Sequence, residues 1–165
     1  MNPALHEIIS NWISPAVWGL VATAIMASVL QTAQLIGLSR LSLPFLFGTF
    51  VVSSRRKAIV WGYALYLLGG WLFAFVYALL FATLDRSDWW VGVLLGAAHG
   101  LFLIAVFLPM LPYIHPRLAT EFDGPDRTRR IEPPGAFGLN YGRNTPLITV
   151  LAQTAYGLIL ALGYG

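Results

Sequence analysis

From Trp89 to Tyr113 the chain carries no Asp, Glu, Lys or Arg, a run too long and too unbroken for an ordinary core helix. A hydrocarbon layer of about 30 Å is crossed by about 20 apolar residues wound as a helix, so the run predicts a membrane span. Three further segments pass the same test: Ala16 to Ile36, Ala58 to Leu84 and Leu147 to Tyr164. Composition agrees, with 58% hydrophobic and 10% charged residues against about 25% charged in soluble domains. The expected fold class is all-α: an integral membrane four-helix bundle, a single membrane domain over residues 1–165, with spans near 16–36, 58–84, 89–113 and 147–164.

Local signals mark the span ends. Ser14-Pro15 and Thr145-Pro146 each read as an N-cap followed by proline at the first helical position. Pro109 and Pro112 remove backbone donors and are expected to end the third span. Trp89, Trp90, Tyr113 and Tyr164 stand where interfacial aromatics belong. The first 15 residues hold no Lys or Arg and the first apolar run is already span-length, so no cleavable signal peptide is expected.

The basic residues predict orientation, because Lys and Arg are retained on the cytoplasmic side. Arg40, Arg55, Arg56 and Lys57 lie between spans one and two, and Arg117, Arg127, Arg129, Arg130 and Arg143 between spans three and four; only Arg86 lies on the other side. Both termini are therefore expected to face outward. The net charge of +3 sits in these loops, where topology accounts for it and nucleic acid is not an expected partner.

Three segments fall outside the spans. In "MNPALHEIISNWIS" the residues Leu5, Ile8, Ile9, Trp12 and Ile13 recur at helical spacing, which predicts a short amphipathic helix on the outer surface. "LSLPFLFGTFVV", Leu41 to Val52, is apolar all round but half a span long. Bounded by basic residues, it predicts a re-entrant or interfacial half-helix on the cytoplasmic side. Residues 114–146 carry turn signals in "DGPD", "EPPG" and "NYGRN" and read as an ordered cytoplasmic flap, the alternative being a solvated loop.

Motifs for chemistry are sparse. The chain has no Cys, no HExxH, no Gly-x-Ser-x-Gly, no phosphate-binding Gly-rich loop and no acidic cluster at metal-ligand spacing. No Asp, Glu, Lys or Arg lies inside the four runs, which weighs against an ion pump. An enzyme is not expected, and neither is a metal site.

Two features inside the spans do carry information. Gly92, Gly96 and Gly100 recur at intervals of four and predict a face that lets another helix backbone approach closely. His99, about 15 Å along the helix from Trp89 at 1.5 Å per residue, borders that face near the midplane. It reads first as a neutral imidazole hydrogen-bonded to another helix, since an unpaired polar group in hydrocarbon costs several kcal/mol. An axial ligand to haem or chlorophyll and a proton-relay group are the alternatives. Gln31, Tyr66 and Gln153 fall at similar depths on spans one, two and four, so they are expected either to hydrogen-bond with one another as structural glue or to line a small polar cavity.

At "AHGLFLIAVFLPMLPYIHPRLA" and "LNYGRNTP" the chain resembles a family of small four-span bacterial membrane proteins with no assigned function, the likeness running from Leu35 onward. The resemblance implies a multi-pass protein of the bacterial cytoplasmic (inner) membrane and transfers no site residue. The expected function is a non-enzymatic accessory or assembly subunit of a larger membrane complex, with respiratory or photosynthetic complexes as the setting. Its partners would be membrane lipids and other integral membrane subunits, or a second copy through self-association. A haem- or chlorophyll-binding subunit and a small transporter or lipid-binding protein are the competing expectations.

Overall fold

The computed structural model describes His6, residues 9–120 and residues 122–164. Its helices are α1 (Ile13–Leu35), α2 (Leu43–Val51), α3 (Arg55–Leu84), α4 (Trp89–Phe102), α5 (Leu108–Ile114) and α6 (Thr145–Tyr164). A π-helical turn, Leu103–Phe107, joins α4 to α5, so that Trp89–Ile114 is one continuous span. No strand forms among the described residues; Leu118 and Ile131 make one of two isolated bridges. Among the described residues four helices are long and apolar enough to cross a membrane, and the protein is an all-α, multi-pass bundle.

Small residues decide which helices meet. A Cβ on Gly96 would come within 2.8 Å of Thr154 Cα, and one on Gly100 within 2.7 Å of Val150 Cα. Gly92 faces Gly157 and Ala161 of the same helix. The glycine face of the third span therefore abuts α6 with backbones nearly touching. On the other side of α6, α1 contributes Ala22, Met26, Leu30 and Ala33 to the core. A second small-residue seam joins α1 to α3, where a Cβ on Gly70 would strike Thr23 and Trp71 Nε1 donates to the Ala16 carbonyl at 3.0 Å. No Cα of α3 lies within 8 Å of the third span among the described residues. Those two helices stand apart, and only side chains bridge the gap.

The half-helix α2 forms as expected. Ser42 Oγ caps it by accepting from the Phe45 N–H at 3.3 Å, and Pro44 occupies the first turn, where its missing donor costs nothing. It lies against the first turns of α3 with no room for a side chain between them. A Cβ on Gly48 would come within 2.6 Å of the Ala58 carbonyl carbon, and one on Gly62 within 2.6 Å of that of Pro44.

Several boundary expectations are corrected. Ser14 does not cap α1, which starts at Ile13; its hydroxyl instead donates to the Gly163 carbonyl at 2.8 Å and ties the first span to the end of the last. Thr145 begins α6 and hydrogen-bonds to Ser39 Oγ at 2.7 Å across the loops. The third span ends at Ile114, one residue past the expected Tyr113 and two past Pro112, while the helix runs on through Pro109. The wider π-turn just before Pro109 relieves the clash between its ring and the preceding turn. Of the expected N-terminal amphipathic helix, Leu5 and Ile8 lie outside the described residues, while Ile9, Trp12 and Ile13 are exposed.

The described residues of 115–144 form an ordered flap. Ala119 N donates to Ile131 O at 2.9 Å and Ile131 N to Arg117 O at 3.1 Å. Arg40, from the loop after α1, pairs with Glu132 at 3.3 Å, and its backbone N–H donates to Tyr141 O at 2.6 Å. The loop after α1 and the flap therefore meet at one end of the bundle, where Arg55, Arg56 and Lys57 open α3.

Candidate functional site

His99 projects from α4 into the gap left by α3. Its ring stacks on Phe73 at 4.8 Å between centroids, and its Nδ1 lies 3.3 Å from the Tyr77 hydroxyl. The expected interhelical partner is present, but on α3, the helix kept at a distance, and not on α6, which the glycines bring close. His99 is half-buried and lines a cavity of about 310 Å³ roofed by all four spans and by α2. Phe47, Phe73, Phe102 and Phe107 supply aromatic walls, and Gly69 and Gly70 leave space on α3. Phe73 and Phe102 are also exposed on the outer surface, so the cavity opens sideways between α3 and α4, toward the surrounding lipid.

The polar residues expected at this depth separate. Gln31 is exposed on the outer face of α1 and reaches neither of the others. Tyr66 and Gln153 both line the cavity and are 5% and 4% exposed. The hydrogen bonds expected among the three do not form. Tyr66 Oη and Gln153 Oε1 are buried with no hydrogen-bond partner among the described residues. Burying a polar group unpaired costs about 1–3 kcal/mol, and in hydrocarbon no water offsets it. Tyr156, a third cavity residue on α6, is by contrast satisfied, donating to Gly70 O at 2.5 Å. The result is an apolar chamber, without a charged lining residue, that offers one unused hydroxyl and one unused amide oxygen.

His115 is a further buried polar group, on which the sequence carries no motif. His115, one residue past the third span and 1% exposed, accepts at Nδ1 from the backbone N–H groups of Arg117 at 3.0 Å and Leu118 at 3.1 Å. Its Nε2–H then donates to Leu46 O at 3.1 Å, with Thr49 Oγ1 also at 3.1 Å. This arrangement fits only the neutral ring. Burial lowers its pKa below the ordinary histidine value and the Arg117 charge adds to the effect, while the bond to Leu46 opposes it. Arg117 itself donates through Nη1 to the carbonyls of Thr49 and Phe50, placing a cation at the C-terminal end of α2 where unsatisfied carbonyls gather. His115 and Arg117 together fasten α2, which walls the cavity through Leu43 and Phe47.

Among the described residues no group of three or more His, Asp or Glu gathers at metal-binding distance. Comparison with family models, with curated proteins and with solved structures finds no match.

Proposed function

We propose that the protein is a non-enzymatic membrane protein that holds a lipophilic molecule in the chamber between α3, α4 and α6. The observation that carries this reading is the pair of unpartnered buried atoms, Tyr66 Oη and Gln153 Oε1, on the wall of one apolar cavity. A ligand hydroxyl can accept from Tyr66 and donate to Gln153, which recovers the desolvation cost both now carry. The volume of about 310 Å³ stands at the lower end of the roughly 300–1,000 Å³ typical of small-molecule sites. It suits a substituted ring or the hydroxyl end of a lipid, and the aromatic walls favour a flat body. The lateral opening supplies an entry from the bilayer without passage through water.

The test is stoichiometric extraction. Solvent extraction of protein purified in mild detergent is expected to release about one lipophile per chain. Gly69→Leu, at a position where an added Cβ meets nothing within 4 Å, fills the chamber and should abolish that recovery while the protein still folds. Equal recovery from both proteins would refute the reading.

A second reading, an accessory or assembly subunit of a larger membrane complex, is favoured by Gln31. An exposed amide on a spanning helix gains from a polar partner on another subunit. Stoichiometric co-purification that is lost in Gln31→Leu tests it. For either reading we place the protein in the bacterial cytoplasmic membrane with both termini outward, on the distribution of basic residues.

A further inference from the structure

The flap and α2 enclose a second concavity, of about 670 Å³, at the basic end of the bundle. Arg55, Arg117, Arg127 and Arg130 line it, and among the described residues no carboxylate does. Arg117 is committed to the carbonyls of Thr49 and Phe50; the other three arginines pair with no acid among the described residues. Four like charges around one groove repel each other, and beyond the carbonyls that hold Arg117 the described residues give Arg55, Arg127 and Arg130 no ion-pair partner.

The position of the groove identifies what compensates them. Arg55 opens α3 and Arg117 follows the end of the third span, so the groove sits at the level where a bilayer presents its headgroups. Phe45 and Ile131 give it an apolar wall, and Ser53 and Thr128 add hydroxyls. On α2, Phe45 and Thr49 face this groove while Leu43 and Phe47 face the membrane cavity, about 200° away around the helix at 3.6 residues per turn. Arginine forks match phosphate oxygens two at a time, and basic pockets beside span ends are suited to anionic lipid headgroups. We propose that this groove binds the phosphate of an anionic phospholipid, with Arg55, Arg127 and Arg130 as its partners and Arg117 fixing the wall. This site is independent of the chamber ligand.

Native mass spectrometry of the full chain, released from detergent with phosphatidylglycerol or phosphatidylcholine, measures the binding. One phosphatidylglycerol is expected to remain bound under conditions that strip phosphatidylcholine. Removing two of the surface charges with Arg127→Gln/Arg130→Gln should weaken retention roughly tenfold or more. The control Arg56→Gln/Arg143→Gln removes two charges from the same end but outside the groove, and should leave retention close to the unmodified chain. Equal loss in both double variants would reduce the effect to diffuse surface charge and overturn the site. No preference for phosphatidylglycerol would overturn it as well. Glycerophosphate binding as tightly as the lipid, and displacing it, would assign the groove to a soluble phosphate compound and refute the lipid proposal.

Discussion

Replacing Gly48 by alanine sets two physical effects of opposite sign against each other. In a helix interior alanine is favoured over glycine by about 0.5–1 kcal/mol, so propensity alone predicts stabilisation. Here, however, the new Cβ would clash with the Ala58 carbonyl oxygen and approach its carbon to 2.6 Å and Cα to 2.9 Å. Carbon contacts are optimal near 3.5–4.0 Å, so α2 must retreat from α3 by roughly 1 Å or more. The obstacle is backbone, which cannot rotate aside. Overpacking costs typically about 1–3 kcal/mol, and this site belongs at the upper end, leaving a net loss of about 2 kcal/mol after the propensity gain. For a chain of this size that corresponds to roughly 4–8 °C in Tm. Thermal unfolding in mild detergent measures it, with Gly69→Ala as the control, since that Cβ meets nothing within 4 Å and should leave Tm unchanged or raise it. A Gly48→Ala protein as stable as the unmodified chain would show that α2 does not lie against α3, and the floor of the chamber would have to be redrawn.

Three further outcomes follow from the same geometry. Gly96→Leu drives a side chain into the Gln153–Thr154 backbone, where even a Cβ comes within 2.8 Å; it should lower Tm by more than Gly48→Ala, and an unchanged melt would mean that the glycine face looks at lipid. Docked His115 stays neutral, its pKa lowered by burial and by Arg117, whereas a detached flap takes up a proton near pH 6.5. Flap docking should therefore be constant above that pH and weaken as pH falls below it, by at most about 1.4 kcal/mol per unit; hydrogen exchange at Leu118, Ala119 and Ile131 reads this, and protection unchanged between pH 7.5 and 5.5 would contradict it. A C-terminal reporter active only outside the cytoplasm should be active; activity of a cytoplasm-only reporter would reverse the orientation.

The number and placement of spans were legible because they depend on run length and on the absence of charge, which a sequence displays directly. Azimuth around each helix was not. In a bilayer the outward face is as apolar as the inward one, so hydrophobic periodicity gives no signal, and Gln31 looked equivalent to Gln153. The usable clue was local: Gln153 shares a stripe with Thr149, Tyr156 and Gly157, all buried, whereas Gln31 is flanked at four residues' distance by Ala27 and Leu35. Gly92, Gly96 and Gly100 announced a contact face through their spacing but not which helix would meet it. Gly48, the one glycine of α2, and Gly62, seven residues before the next glycine of α3, gave no interval-of-four pattern. Pro112 marked the end of the third span to within two residues, whereas nothing in "LIAVFLP" announces the π-turn that carries the helix past Pro109. His115 stood in "YIHPRL", where its position beside a span end and an arginine signalled a junction, and only the fold brought Leu46 to its other nitrogen.

The chamber beside His99 is proposed to hold a ligand that satisfies Tyr66 and Gln153. An experimental density map of the protein purified from its own membrane in mild detergent tests this most directly. Continuous density is expected inside the chamber, entering between Phe73 and Phe102 and ending within hydrogen-bonding distance of Tyr66 Oη and Gln153 Oε1. A well-resolved chamber that is empty, or one closed by Tyr66 and Gln153 bonding to each other, would contradict it.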